Sequence, residues 1–486
     1  RAVLPGDGAG ATMTFVQIEF VGLLFAVFGL YWLVPSRRGQ NVILLVASAV
    51  FYGWVHPWFV GLLAASTLLD YTAGRVMADR PAWRTPALVA SLAGNLGLLG
   101  AFKYHDFFVD NLTGALGSLG LGTSLSPWAL VLPVGISFYT FQTMSYTIDV
   151  FRERIEARRD LLDYAVYVSF FPQLVAGPIE RAADLLPQVE RARSFDLTRI
   201  GSGLTLAVWG AFKKICIADV VALYVDKVFL LQAPSTPLVV AGTMAFGVQI
   251  VADFSGYTDI ARGVARMLGF ELSINFRRPF LATSTPDFWR RWHISLGTWI
   301  GDYVFLPLSR ALGPGPGRMA TALLITFALI GLWHGAAWNF VWLGLWYGLW
   351  MVVYTLGAPL VPTRWFEGRT ATLMHAVAAG VHSMVVLLPA GVLFREVSMD
   401  RVWMHLMQSP LAYSSDDALM AWVVLVVAGL FALPMALGDL FEDHVWPWLK
   451  HDAWRLPVQT SGVALQIVAI ALFYRDTSRD FVYFQF

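Results

Sequence analysis

The 486-residue chain contains one cysteine, Cys216, so it can form no internal disulfide and no multi-cysteine metal site. Charge is also scarce. Asp, Glu, Lys and Arg make up 14% of the residues, against about 25% in ordinary soluble domains. A chain with so little polar surface cannot cover itself in water. With 57% hydrophobic residues and a mean hydropathy of +0.60 it reads as an all-α polytopic membrane protein. The net charge of +1 provides no basic field for nucleic acid. There is no HExxH, no pair of histidines at ligand spacing and no multi-carboxylate set, which argues against a metal site. There is likewise no GxSxG, no GxGxxG behind a strand and no Walker loop, so a hydrolase elbow, a Rossmann cofactor and direct NTP use lack support. Low-complexity tracts are missing. So is an internal repeat, which would have favoured a transporter.

What the chain has in abundance is apolar length. Twenty Trp and 16 Tyr suit aromatic belts at two membrane interfaces. A span needs about 20 apolar residues. Candidate stretches run over 16–34, 41–56, 58–74, 86–104, 127–149, 161–178, 200–223 and 236–252, then 292–308, 319–332, 336–357, 371–394, 418–437 and 459–474. Several of these are short, so the expectation is about eleven transmembrane helices plus re-entrant and amphipathic pieces. Arg37 and Arg38, then Arg75, Arg80 and Arg84, then Arg152, Arg154, Arg158 and Arg159 follow alternate stretches. The loops between them, His56-Pro57 and 106–126, carry no Lys or Arg. This pattern predicts Arg-rich loops in the cytoplasm and a periplasmic N-terminus. Residues 1–12 precede Met13 and are expected to be a non-native or disordered start, with 13–486 forming a single integral-membrane domain. The stretch 16–34 reads as a retained helix, because no small-residue cleavage site follows it. Cys216 lies in an apolar stretch and reads as packing.

Four constellations stand out against this apolar background. Gly331-Leu332-Trp333-His334-Gly335-Ala336-Ala337-Trp338-Asn339 places a histidine between two apolar runs. Such a group either bonds a neighbouring helix or faces a cavity, a partner or a substrate path. Asp287-Phe288-Trp289-Arg290-Arg291-Trp292-His293 is either an interfacial anchor or a cationic mouth for a phosphorylated or carboxylated ligand. Phe170-Phe171-Pro172-Gln173-Leu174-Val175-Ala176-Gly177-Pro178 breaks a hydrophobic run with two prolines, as a surface turn or as unwound backbone lining a cavity. Asp253-Phe254-Ser255-Gly256-Tyr257-Thr258-Asp259 is either a helix cap with a surface turn or a polar wall. It opens a polar-aromatic stretch that reaches Arg291, and 180–199 reads as amphipathic helix on the cytoplasmic face. Tyr474-Arg475-Asp476 reads as an interfacial ion pair. His56, His105, His375, His382, His405, His444 and His451 read as structural.

Together with Asn275-Phe276-Arg277-Arg278-Pro279-Phe280, these motifs in this order resemble the membrane-bound O-acyltransferase family. The likeness is to its bacterial branch typified by the alginate O-acetylation membrane protein, over about 13–486. The resemblance implies helices arranged around a central tunnel, with an acyl donor entering from the cytoplasm and a hydroxyl acceptor from the other side. It puts the family's near-invariant histidine on His334 and the branch's second signature residue on His293. It implies acetyl-CoA as the donor, with no permanently bound cofactor, whereas a sister branch takes D-alanine from a carrier protein. It also implies a periplasmic acetyltransferase partner and a polysaccharide-synthesis complex in the inner membrane. Gly301 stands where this branch carries a basic residue.

The chemistry suits the residues. Taking a proton from an attacking hydroxyl requires a base with a pKa near the working pH, and histidine provides one. Donors must also face the developing oxyanion; Asn339, Trp338 and backbone N–H groups near Gly335 are candidates. Arg290, Arg291, Arg277 and Arg278 are candidates for the donor mouth, and Asp253, Trp333 and Asn339 for the tunnel. The expected function is O-acetylation of an exported or cell-surface polysaccharide such as alginate. His334 would be the general base, with His293 positioning or relaying the proton. The alternatives are a proton-coupled transporter or flippase, and D-alanylation of teichoic acid.

Overall fold

Apolar runs too long for strands, with few helix breakers inside them, make helices. The computed structural model describes residues 13–122, 124–175, 177–357, 371–396, 398–441, 443, 452–475 and 481–482, and no strand occurs among them. The expected start at 1–12 lies outside these residues, as do His444, His451, Asp476 and the last four residues. The chain divides into two compact units. Among the described residues, one comprises 13–203 with Ala261–Ser273, the other Leu204–Ile260 with Ile274 onward.

The first unit contains α1 (Ile18–Leu33), α2 (Arg37–Gly53), α3 (Trp58–Asp79), α4 (Arg84–Leu99), α5 (His105–Ser118), α6 (Ile136–Phe151), α7 (Leu161–Ser169), the single turn α8 (Phe171–Leu174) and α9 (Ala182–Glu190). A π-helical turn, Gly100–Tyr104, joins α4 to α5. The helix therefore runs through much of what the sequence suggested was a loop at 106–126. It stops where Gly120 adopts φ 73° and the Leu121 N–H reaches back to the Leu116 carbonyl at 2.9 Å, a glycine-dependent helix ending.

Polar side chains tie α3, α4 and α6 together. Asp70 is fully buried; it accepts from Asn95 at 2.7 Å and from Ser91 at 2.5 Å, and Ser91 in turn meets Thr147 at 2.9 Å. The Arg-rich loops meet at one end of these helices. Arg37 pairs with Asp163 at 2.6 Å, Arg158 with Glu190 at 2.6 Å, and Arg84 with Glu153. The broken Pro–Gly segment is covered by protein: Phe170, Phe171, Leu174 and Val175 are all buried, and Gln173 donates to Gln142 at 2.7 Å. It is not a surface turn.

Two helices, α10 (Leu197–Phe212) and α12 (Thr236–Met267), contribute residues to both units. The second unit adds α11 (Asp219–Phe229), α13 (Thr285–Trp289), α14 (Ile294–Ile300), α15 (Leu306–Leu312), α16 (Pro316–His334), α17 (Trp338–Gly357), α18 (Ala371–His382), α19 (Leu388–Arg395), α20 (Met399–Met407), α21 (Ser415–Leu440) and α22 (Asp452–Phe473). The polar motif 253–259 neither caps nor ends α12, which passes straight through it. The reason is local pairing. Lys213 and Lys214, both buried in the π-helical turn Lys213–Ala218, neutralise it. Lys213 bonds Asp259 at 2.5 Å and Ser255 at 2.9 Å, and Lys214 bonds Asp253 at 2.7 Å and Asp219 at 2.9 Å.

Seven helical stretches among the described residues are long and apolar enough to cross a membrane: Pro81–Ser118, Thr236–Met267, Pro316–His334, Trp338–Gly357, Leu373–Arg395, Ser415–Leu440 and Leu456–Phe473. The sequence suggested about eleven. Several further stretches, such as α1 with 16 residues and α2 with 17, form shorter helices. The chain is thus an all-α, multi-pass membrane protein.

Candidate active site

The second unit places His334 by a glycine-mediated helix pair. Gly331 and Gly335 at the end of α16, and Gly344 and Gly348 on α17, form two small-xxx-small faces that let backbones approach closely. A Cβ at Gly331 would lie 2.0 Å from the Phe340 carbonyl oxygen, and one at Gly344 2.1 Å from that of Phe327. At Gly335 the Phe340 ring would be 2.2 Å from a Cβ. Phe340 thus occupies the place a side chain would take, and the chain leaves α16 immediately after His334.

His334 is 7% exposed and forms part of the wall of a cavity of about 330 Å³. The rest of the wall is mainly apolar, including Phe246, Trp289, Phe327, Leu343 and Phe394. Among the described residues of that lining, His334 is the only basic side chain. Its ring lies 5.1 Å from that of Trp333 and 5.5 Å from that of Phe394, centroid to centroid.

His293 is fully buried next to this wall without being part of the cavity lining. Its backbone is left-handed, φ 42° and ψ 53°, a conformation that costs an L-residue roughly 1–2 kcal/mol. Neighbouring bonds hold it there: Arg277 N–H to the Arg291 carbonyl at 2.8 Å and Ile294 N–H to the Asn275 carbonyl at 3.0 Å. The ring packs edge-on against Phe254 at 4.8 Å and lies 5.9 Å from Trp333. Trp333 therefore touches both imidazoles and links two histidines 41 positions apart in the sequence.

The arginines divide. Arg290 and Arg291, with Thr283, Ser284, Asp287 and His375, line an open vestibule of about 490 Å³. Asp287 is engaged by Arg291 at 3.0 Å, while Arg290 is 4.0 Å from it with a largely exposed side chain. Phe288 and Trp289 of the same short helix, α13, line the apolar cavity. That helix therefore presents charge to the vestibule and aromatic rings to the cavity. Arg278 is instead committed to Asp439 and Asp443, carboxylates that raise its pKa further. Arg277 is exposed and outside the vestibule lining.

Asp253 is buried in the Lys214 pair and accepts from the Val482 N–H at 2.8 Å, away from the cavity lining. Asn339 uses its amide group on the Leu393 and Glu396 carbonyls at 3.1 and 2.9 Å, which ties α17 to the end of α19. Trp338 is 52% exposed. Gly301 opens a π-helical turn, and nothing lies within 4 Å of where its Cβ would stand, so no steric demand explains its lack of a side chain. No group of three or more His, Cys, Asp or Glu side chains suited to a metal ion occurs among the described residues.

The model of the membrane-bound O-acyltransferase family matches residues 125–386, which include both histidines. The chain belongs to that family. Family members include the probable alginate O-acetylase AlgI of Azotobacter vinelandii, 37% identical over 80% of this chain and 77% of its own. The protein of the same name in Pseudomonas putida is 40% identical over 68% and 70%. A peptidoglycan O-acetyltransferase of Helicobacter pylori is 28% identical over 91% of both chains. As a family member the chain is an O-acyltransferase, and the cavity wall that carries His334 is its candidate catalytic surface.

Two buried charged residues outside the cavity lining escaped sequence reading. Lys213 and Lys214 gave a signal that went unused: two consecutive charges in an apolar run require buried counter-ions, and Asp253 and Asp259 provide them. His382 gave none. It is fully buried, with its Nε2 3.5 Å from the Thr285 hydroxyl at the start of α13.

Proposed function

We propose that this chain is an inner-membrane O-acetyltransferase. It would move an acetyl group from cytoplasmic acetyl-CoA toward the hydroxyls of an exported polysaccharide, with alginate the foremost acceptor. The observation that carries this reading is His334, the one basic group among the described residues on the wall of a mainly apolar cavity, in a chain 37–40% identical to probable alginate O-acetylases. His334 accepts the proton of the attacking hydroxyl as its oxygen bonds to the thioester carbonyl carbon. Collapse of the tetrahedral intermediate breaks the carbon–sulfur bond, and the proton passes on to the departing thiolate. A mainly apolar wall strengthens each electrostatic contact in that step. His293, held beside His334, orients or relays. Arg290 and the vestibule would receive the CoA phosphates. A periplasmic acetyltransferase and the polysaccharide-synthesis machinery would take the acetyl group onward, and the Arg-rich loops of the first unit would face the cytoplasm.

Peptidoglycan is the second acceptor supported by an observation, because that relative covers 91% of both chains.

The test is acetyl transfer from labelled acetyl-CoA by the full chain in liposomes. His334→Gln should insert and unfold like the wild type while losing about 10²–10⁴-fold in turnover, the range of general acid–base catalysis. Wild-type turnover by this variant would remove His334 from the mechanism. Transfer that requires an acyl-carrier protein in place of CoA would remove acetyl-CoA as the donor.

A further inference from the structure

The oxygen of one asparagine makes three contacts at the turn that presents His293. Asn275 Oδ1 lies 3.1 Å from the Ser295 backbone nitrogen, 2.9 Å from the Ser295 hydroxyl and 3.2 Å from His293 Nδ1. The first contact settles the chemistry of the third. A backbone N–H can only donate, so the atom facing it is the amide oxygen and not the amide nitrogen. An oxygen acceptor beside Nδ1 requires that Nδ1 carry the hydrogen. Nε2 of the neutral ring then carries the lone pair, the form able to accept a proton. The backbone of Asn275 contributes as well, because its carbonyl accepts from Ile294 N–H at 3.0 Å. One residue therefore caps the first turn of α14, sustains the left-handed backbone of His293 and fixes its tautomer.

Asn275 is 1% exposed, and its amide nitrogen has no hydrogen-bond partner among the described residues. Leaving a buried donor unmatched costs about 1–3 kcal/mol. The contacts of the oxygen, to Ser295 and His293, oppose that cost. The rings packed on that of His293 are those of Phe254 of α12, the neighbouring Phe276 and Trp333 of α16, with His334 near enough to act on it electrostatically. His334 is the titratable one among them.

We propose that Asn275 is a positioning residue of the acyl-transfer reaction, holding His293 in its Nδ1–H tautomer with Nε2 directed to accept a proton. This rests on the reading that His293 assists His334.

The experiment compares Asn275→Ala, Asn275→Asp and His293→Gln in the full chain in liposomes. It measures kcat, KM for acetyl-CoA, the pH profile of kcat, and thermal unfolding in detergent. Asn275→Asp keeps every contact the oxygen accepts and places a carboxylate beside the imidazole, which favours the protonated ring. Its kcat should stay within about threefold of wild type near the optimum, with the acid limb of the profile moved by about one unit to higher pH. Asn275→Ala should lower kcat by at least about tenfold at unchanged KM, and should cause no further loss when combined with His293→Gln. If Asn275→Ala fails to fold, Asn275→Asp decides alone. An impaired His293→Gln beside an Asn275→Asp with a wild-type pH profile would overturn the role of Asn275. A fully active His293→Gln would overturn the reading of His293 itself.

Discussion

The ring of His293 meets that of Trp333 at 5.9 Å and 64°, so the residue immediately before His334 is the one that touches the second histidine. Trp333 is 4% exposed and spans the space between the two imidazoles. If His334 takes the proton and His293 supports it, their losses differ in kind. His293→Gln should lower kcat by about 10–100-fold with KM for acetyl-CoA unchanged, less than His334→Gln, because removing an assisting group leaves the base in place. Equal loss in both variants would make them joint catalysts.

The vestibule is open and Arg290 is its least engaged cation. Arg290→Ala should raise KM for acetyl-CoA about tenfold or somewhat more, near the lower end of the roughly 1.5–3 kcal/mol of a hydrogen bond to a charged group. It should leave transfer from an acetyl thioester lacking the nucleotide phosphates unchanged. Arg278→Ala, which removes the partner of Asp439 and Asp443, should alter thermal stability and leave KM alone. A KM effect of Arg278→Ala equal to that of Arg290→Ala would place the mouth elsewhere.

Gly331→Ala and Gly344→Ala should each reduce the stability of the second unit. The new Cβ would meet backbone atoms at 2.0 and 2.1 Å, which cannot move aside as a flexible side chain can. Overpacking of this kind costs about 1–3 kcal/mol. Gly301→Ala, with open space around it, should behave like the wild type. Thermal unfolding in detergent measures all three, and equal midpoints would argue against the close helix pair.

Glu180 gives the first unit a pH dependence. Burial raises its pKa from 4.5 to about 7, although hydrogen bonds from Ser273 at 2.6 and 3.0 Å oppose the rise. The folded state therefore binds the proton more tightly than the unfolded chain does. Its contribution to stability is complete below the unfolded value of 4.5 and is lost as pH rises through about 7. Unfolding midpoints should fall over that window in the wild type, and Glu180→Gln should flatten the fall. An unchanged slope in the variant would assign the dependence to another group.

The sequence by itself determined the environment and the class. Scarce charge and long apolar runs leave helices in a membrane as the workable solution, since backbone groups there must be satisfied within the segment. Five ordered motifs were enough to point to the family, and an ionisable group between apolar runs marked His334. Other features depend on contacts between residues far apart in the chain. Whether 253–259 breaks a helix was decided by Lys213 and Lys214, more than 35 positions upstream. Whether Arg278 joins Arg290 in the vestibule was decided by the carboxylates at 439 and 443, and whether Asn339 faces a substrate by the open carbonyls at the end of α19. The tautomer of His293 was decided by an oxygen 18 positions away. A residue's type limits which bonds it can make; only tertiary packing chooses the partner, because each donor hydrogen of a buried group is used once.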